Sequence, residues 1–274
     1  MKILIAADME GITGVVHWNH VDSGHSEYER YRRLMTADVN AAVQGAFEAG
    51  ADEVLVTDGH DNGRNILIEE LDPRTHLHSG YPSPLSFVEG IQNGVDGVLL
   101  VGYHSRTGAF ASTLDHTWSG VVANLALNGE SIGEIGLNAA LCGHFEIPVL
   151  MISGEQSACG EAVALLGNLE TAAVKKATSR FAAELLPPLQ TGGMICEAVA
   201  NGVLRLRQGT AVKSWKVATP VKISVEFFKS EMAMQAAILP GAERSGNEVS
   251  YLAADMLEAF RAFLVMTGMA GQEM

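Results

Sequence analysis

The chain has 274 residues and carries 32 acidic against 18 basic side chains, a formal net charge of −14. With no basic stripe, that balance speaks against a nucleic-acid surface and against charge-driven attachment to anionic lipid. Hydrophobic residues make up 47% and charged residues 18%, the composition of a compact globular protein, and no run approaches the ~18 apolar residues a membrane span needs.

The first 150 residues alternate strand and helix signals. Ile3–Ala7 is a short, almost uniformly apolar run, as expected of a strand buried on both faces. Ser26–Ala49 reads as a long helix with an apolar stripe through Leu34, Val39, Ala42, Val43, Ala46 and Phe47, and Gly50 stands where a C-cap glycine belongs. Val54–Thr57 is the next strand, Pro84–Ile91 a shorter helix and Val98–Val101 the third strand. Val121–Leu127, Asn128-Gly129 and Glu130–Ile132 form a hairpin pattern. A helix over Gly133–Phe145 and a strand over Val149–Ile152 follow. Pro187-Pro188 marks a boundary between an α/β metal-site domain (1–186) and a C-terminal lobe (187–274), which could also form one continuous catalytic unit. The lobe holds a helix over Thr191–Leu206, the alternating strand Val221–Phe227, a short segment Glu248–Tyr251 and a helix from Ala253 to Met266. The expected fold class is α/β: a mostly parallel sheet with helices on both faces, in three layers, and a smaller C-terminal lobe.

Cys142, Cys159 and Cys196 are odd in number, widely spaced and without a CxxC pair, so they read as buried thiols rather than a disulfide framework. The N-terminal apolar run is too short for a signal-peptide core, and a cytoplasmic location is expected.

Metal-type side chains stand at the ends of the first three strands. Asp8 and Glu10 follow Ile3–Ala7, His60 follows Val54–Thr57, and His104 follows Val98–Val101. Ligands of open α/β sheets sit outside the carboxyl ends of the strands. If these strands are neighbours, two carboxylates and two imidazoles converge, a donor set suited to zinc. Asp58, two residues before His60, is placed to orient a ligand. Glu134 opens a helix, where a carboxylate also stabilises the N-terminus; as a functional group it would complete a two-metal set. Asn138 lies one turn on and shares its face. His116 sits in a loop, either facing solvent or acting as acid, base or nucleophile at the mouth of the site. His17 and His20 lack the glutamate of an HExxH motif, and His25, His76, His78 and His144 read as surface or turn residues. No GxSxG elbow, Walker A loop or strand-linked GxGxxG is present.

Together these segments resemble the zinc-dependent D-aminopeptidase family, the DppA-type self-compartmentalising metallopeptidases. The resemblance is carried by Asp8–Gly14, Asp58-Gly59-His60, Gly102-Tyr103-His104 and Gly133–Ala139, with support from Val21–Gly24, Tyr28-Glu29-Arg30 and Asp255–Ala259. It implies two zinc ions per subunit held by Asp8, Glu10, His60, His104 and Glu134, with Asp8 bridging, and His116 as the catalytic histidine. The Asp115-His116-Thr117-Trp118 context departs from the family's pattern. It further implies a homodecamer of stacked rings and hydrolysis of short peptides with an N-terminal D-residue such as D-Ala. Two other functions suit the same residues: a metal-dependent hydrolase of another small amide or a phosphoester, and a non-enzymatic ligand-binding α/β protein.

Overall fold

The Val-, Ile- and Leu-rich runs near residues 3, 54, 98 and 149 all become strands of one sheet, because only a strand covered on both faces accepts side chains that are apolar throughout. The computed structural model describes residues 1–272. In chain order they form β1 (Lys2–Ala7), α1 (Tyr28–Glu48), β2 (Glu53–Asp58), β3 (His76–His78), β4 (Gly97–Tyr103), β5 (Val122–Leu127), β6 (Glu130–Ile132), α2 (Glu134–His144) and β7 (Val149–Glu155). Then follow α3 (Gln156–Leu166), β8 (Glu170–Ser179), β9 (Ala182–Leu185), α4 (Pro188–Arg207), β10 (Val221–Phe227), α5 (Ser230–Ala236), β11 (Glu243–Ser245), β12 (Glu248–Ala253) and α6 (Met256–Ala270).

The first sheet has seven strands in the order β3-β2-β1-β4-β7-β8-β9, parallel except for the final β8–β9 hairpin. The chain leaves β1 through α1, builds β2 and β3 on one side, and returns to lay β4 on the other side of β1. The strand order therefore reverses at β1, and such a switch point opens a crevice at the carboxyl ends. Register brings the ends level: Ala7 pairs with Asp58 on one side and Val101 on the other. Asp8, His60 and His104 thus emerge side by side, as the strand-end pattern anticipates.

One face of this sheet is covered by α1 and α4, which pack on each other. The other faces α2, α3 and a second, antiparallel sheet of order β11-β12-β10-β5-β6. In β10 the alternation is complete: Val221, Ile223, Val225 and Phe227 are buried, while Lys222 and Glu226 are exposed. Met256, Phe260, Phe263 and Met266 of α6 close that core. Residues 187–274 divide between the layers, α4 lying on α1 and β10 pairing with β5 and β12.

Two local expectations change. Pro84–Ile91 forms two 3-10 turns, Ser86–Val88 and Ile91–Asn93, because Gly90 between them is left-handed (φ 93°) and stops any helix. The last helix starts at Met256 rather than Ala253. Asp255 caps it by accepting from the Glu258 amide (2.9 Å), and Glu258 reaches back to the Ala254 amide (2.7 Å). Residues 153–186, to which the sequence reading assigned no element, contain α3, β8 and β9.

Candidate metal centre

The loop after β1 is pressed against β4. Gly11 donates its amide to the Gly102 carbonyl (2.7 Å), and a Cβ at Gly11 would lie 1.9 Å from the Tyr103 carbonyl oxygen. Only glycine permits that approach, which turns the Glu10 carboxylate towards His60. Gly102 is left-handed (φ 76°), and this bend at the end of β4 aims His104 back across β1.

Five buried side chains then meet. His60 Nδ1 lies 3.1 Å from Glu10 Oε2 and 3.5 Å from Asp8 Oδ1. His104 Nε2 lies 3.3 Å from Asp8 Oδ2 and 3.1 Å from Glu134 Oε1. Asp8 stands between the imidazoles, one oxygen towards each. Glu134 sits in the first turn of α2, favourable for a carboxylate, and Trp118 donates its amide to it (2.7 Å). Helix stabilisation and membership of the cluster are therefore both true of Glu134. His116 stacks on His104 (ring centroids 3.9 Å apart), with Nε2 3.9 Å from Glu10 and 3.8 Å from Glu134. All six residues that the sequence singled out are brought together.

The far nitrogen of each imidazole is taken by a backbone carbonyl: His60 Nε2 by Val21 (3.0 Å), His104 Nδ1 by Ser105 (3.0 Å) and His116 Nδ1 by Leu114 (2.8 Å). Each of those nitrogens must carry the proton, since a carbonyl only accepts. In the neutral rings the inward nitrogens present lone pairs to carboxylate oxygens. Acceptor facing acceptor is repulsive unless a proton or a metal cation stands between them. Asp8 Oδ2, Glu10 Oε2 and His104 Nε2 are buried without a hydrogen-bond partner among the described residues. Subsets of the cluster place their donor atoms within 4.8 Å of one another. The carboxylate–imidazole chemistry, the orphaned atoms and the carbonyl-fixed rings all fit bound zinc.

The electrostatics state the same demand for positive charge. Burial and the neighbouring Glu10 push the Asp8 carboxyl up to about 7. Burial opposes charge on His60 and His104, yet the surrounding carboxylates hold both well above the ordinary histidine range. Burial likewise opposes charge on Glu10 and Glu134, but His60 holds Glu10 well below its usual value and His104 holds Glu134 below its own. His116 is lowered, by burial and by His104.

Asp58 acts one layer out. Its carboxylate accepts from the Asn65 and Ile66 amides (2.6 and 2.8 Å) and from Asn65 Nδ2 (2.8 Å), while the same amide group bonds the His60 carbonyl (2.7 Å). It shapes the loop that carries His60. Asn138 bonds the Tyr103 hydroxyl (3.1 Å), behind the cluster. His17, His76, His78 and His144 are exposed and His25 partly so, whereas His20 is buried and stacks on Tyr31 at 3.7 Å.

Two residues escaped sequence reasoning. Lys175 of β8 is 2% exposed, and its ammonium donates to the carbonyls of Glu10 (2.6 Å), Ile12 (3.1 Å) and Val15 (2.6 Å). It clamps the loop that presents Glu10. Glu155, at the end of β7, is fully buried and accepts from the Ser105 amide and hydroxyl and from the Ser112 hydroxyl, tying down the loop after His104. Lys175→Met would leave the Glu10 and Val15 carbonyls unpaired and take one of two donors from the Ile12 carbonyl. We expect a loss of about 1–3 kcal/mol of stability and weakened metal retention. Thermal unfolding and metal content check this; wild-type values of both would refute the clamp.

The cluster floors a cleft of about 320 Å³, also lined by Asp61, Tyr81, Ser83, Phe87 and Trp118. A family model described as D-aminopeptidase (Peptidase_M55) matches residues 1–265. A curated D-aminopeptidase of Bacillus subtilis (strain 168) is 38% identical over 272 residues, covering 98% of each chain. A solved structure, described as the Zn-dependent D-aminopeptidase DppA from Bacillus subtilis, a self-compartmentalizing protease, superposes with a TM-score of 0.96 at 37% identity, covering 100% of this chain and 99% of that one. The strand-end cluster and the end-to-end match agree, and the chain belongs to the D-aminopeptidase family.

Proposed function

We propose that this protein is a dizinc aminopeptidase that hydrolyses short peptides with an N-terminal D-amino acid such as D-Ala. Asp8, Glu10, His60, His104 and Glu134 would hold the metals, Asp8 shared between the two, and His116 would be the catalytic histidine. The observation that carries this reading is the set of inward imidazole nitrogens facing buried carboxylate oxygens, of which Asp8 Oδ2 and Glu10 Oε2 have no hydrogen-bond partner among the described residues. When bound, a zinc pair supplies Lewis acidity that polarises a carbonyl and acidifies water. The chain supplies the rest. Carbonyl bonds lock the three rings, Trp118 holds Glu134, and the Asp58–Asn65 network holds the His60 loop. His116 presents Nε2 at the cleft wall, where it can take and return a proton or contact the carbonyl centre. Asp61 and the cluster carboxylates make the cleft acidic, which suits a substrate with a free ammonium end.

The reading includes assembly into a homodecamer of stacked rings in the cytoplasm. It draws support from the relative described as self-compartmentalizing, from Phe110 and Leu189, apolar side chains more than nine-tenths exposed, and from three unpaired thiols suited to a reducing compartment. Light scattering that finds a monomer would remove the assembly.

Phosphoester hydrolysis is disfavoured, because cations are wanted around a phosphate. Arg64 is tied to Asn62, Arg106 lines a separate surface hollow, and neither lines the cleft. Protein purified without added metal is expected to hold about two zinc ions per subunit. It should cleave D-alanyl p-nitroanilide, lose that activity to a chelator, and leave p-nitrophenyl phosphate intact. Fewer than one zinc per subunit, or phosphate release in place of peptidase activity, would overturn the assignment.

A further inference from the structure

We propose that Arg180 reads the C-terminal carboxylate of a short peptide, which makes a free carboxylate a specificity determinant; this rests on the aminopeptidase reading above. A second cavity of about 500 Å³ adjoins the metal cleft, with Trp18, Asp115, Val122, Arg180 and Phe228 among its walls. His116 lines both cavities and is their common wall. The metal cleft is lined by acidic groups, whereas Arg180 is the sole lysine or arginine lining either cavity among the described residues. A di- or tripeptide is a zwitterion of the same polarity. Its ammonium belongs on the acidic side, its carboxylate on the Arg180 side, and its scissile bond beside His116.

The guanidinium is held in place yet accessible. Arg180 lies on the turn between β8 and β9, and its own carbonyl accepts from the Leu114 amide (2.9 Å). Nη2 donates to the Asp115 carbonyl (2.8 Å), and Nε is ion-paired with Asp115 Oδ1 at 2.9 Å. Asp115 Oδ2 is taken by the Gly108 amide (2.7 Å). Nη1 makes no hydrogen bond among the described residues, and the side chain is 50% exposed. Trp18 lies between the two groups: its ring meets the His116 ring edge-on at 5.2 Å and has the guanidinium carbon 6.0 Å from its centroid. A fixed fork with an open nitrogen on an apolar wall suits carboxylate recognition.

The rival role is mechanical, since the same bonds also hold the loop that carries His116. A holding role would slow every substrate alike; a reading role would act only on the free acid. The test compares D-alanyl-D-alanine with its C-terminal amide, using zinc-loaded full-length wild type, Arg180→Gln and Arg180→Lys. Wild type is expected to favour the acid. In Arg180→Gln the acid-to-amide ratio of kcat/KM should fall about tenfold or more, through KM for the acid, the scale of a lost bond to a charged group. Arg180→Lys should keep part of the preference. Equal losses on acid and amide, or an unchanged ratio, would overturn the proposal alone. A wild type that cleaves neither peptide would overturn the aminopeptidase reading and this proposal with it.

Discussion

His116→Ala is expected to lower turnover of D-alanyl p-nitroanilide by about 10²–10⁴-fold, the scale of general acid–base catalysis, with zinc content unchanged. The geometry separates His116 from the proposed ligands. The closest carboxylate contacts of His60 and His104 are 3.1 Å, whereas those of His116 are 3.8 and 3.9 Å. Its side chain is 17% exposed against 10% and 1% for the other two. It lies at the wall of the cleft, where a substrate carbonyl would arrive. Leu114 fixes its tautomer and the His104 ring fixes its plane, so the ring needs no reorganisation to act. Kinetics paired with elemental analysis decides the matter. Near wild-type turnover with both zincs bound would remove the catalytic role, and loss of a zinc equivalent would make His116 a ligand.

The second large effect is expected at Asp8. Its two oxygens face different imidazoles, so Asp8→Ala removes a donor from both halves of the cluster at once. Zinc content should fall well below one per subunit, and activity by roughly 10³-fold or more, since Lewis acid and nucleophile generation are lost together. Stability should move in opposite directions with and without metal. In the metal-free protein Asp8 crowds Glu10 and Glu134 in a buried space, and burial with Glu10 beside it already pushes its carboxyl up to about 7. Removing it relieves that repulsion, so the apo variant should unfold no lower than apo wild type. Added zinc should raise the melting temperature of wild type, since binding to the native state alone is stabilising, but not that of the variant. A variant that still binds two zinc ions would refute the shared role of Asp8.

The legible part of the site follows from how parallel sheets are built. Buried strands read as apolar runs, so the first polar residues after them mark the strand ends, and Asp8, His60 and His104 declare themselves that way. Glu134 was visible as a helix-opening carboxylate, although its local value to α2 hid whether it did more. Lys175 was not legible. It precedes Lys176 in a strand of mixed residues, and nothing local says that Lys175 is buried while Lys176 is exposed. Glu155 lies three residues beyond the apolar run that marked β7. Asn138 shares a helix face with Glu134, yet its amide reaches Tyr103, because the wheel gives direction and not depth.

The sequence by itself determined which chemical groups stand at the strand ends, since strand length and side-chain type are local properties of the chain. It also determined that the sheet is mostly parallel, through the alternation of short apolar runs with helical periods. Only the tertiary structure decided that β2, β1 and β4 are neighbours in that order. Strand order depends on crossover packing, the closeness of Gly11 to Tyr103 and the clamp from Lys175, contacts between residues far apart in the chain. The same long-range contacts turn three imidazole nitrogens inward against carboxylates, and that facing geometry is what makes the cluster a candidate metal centre.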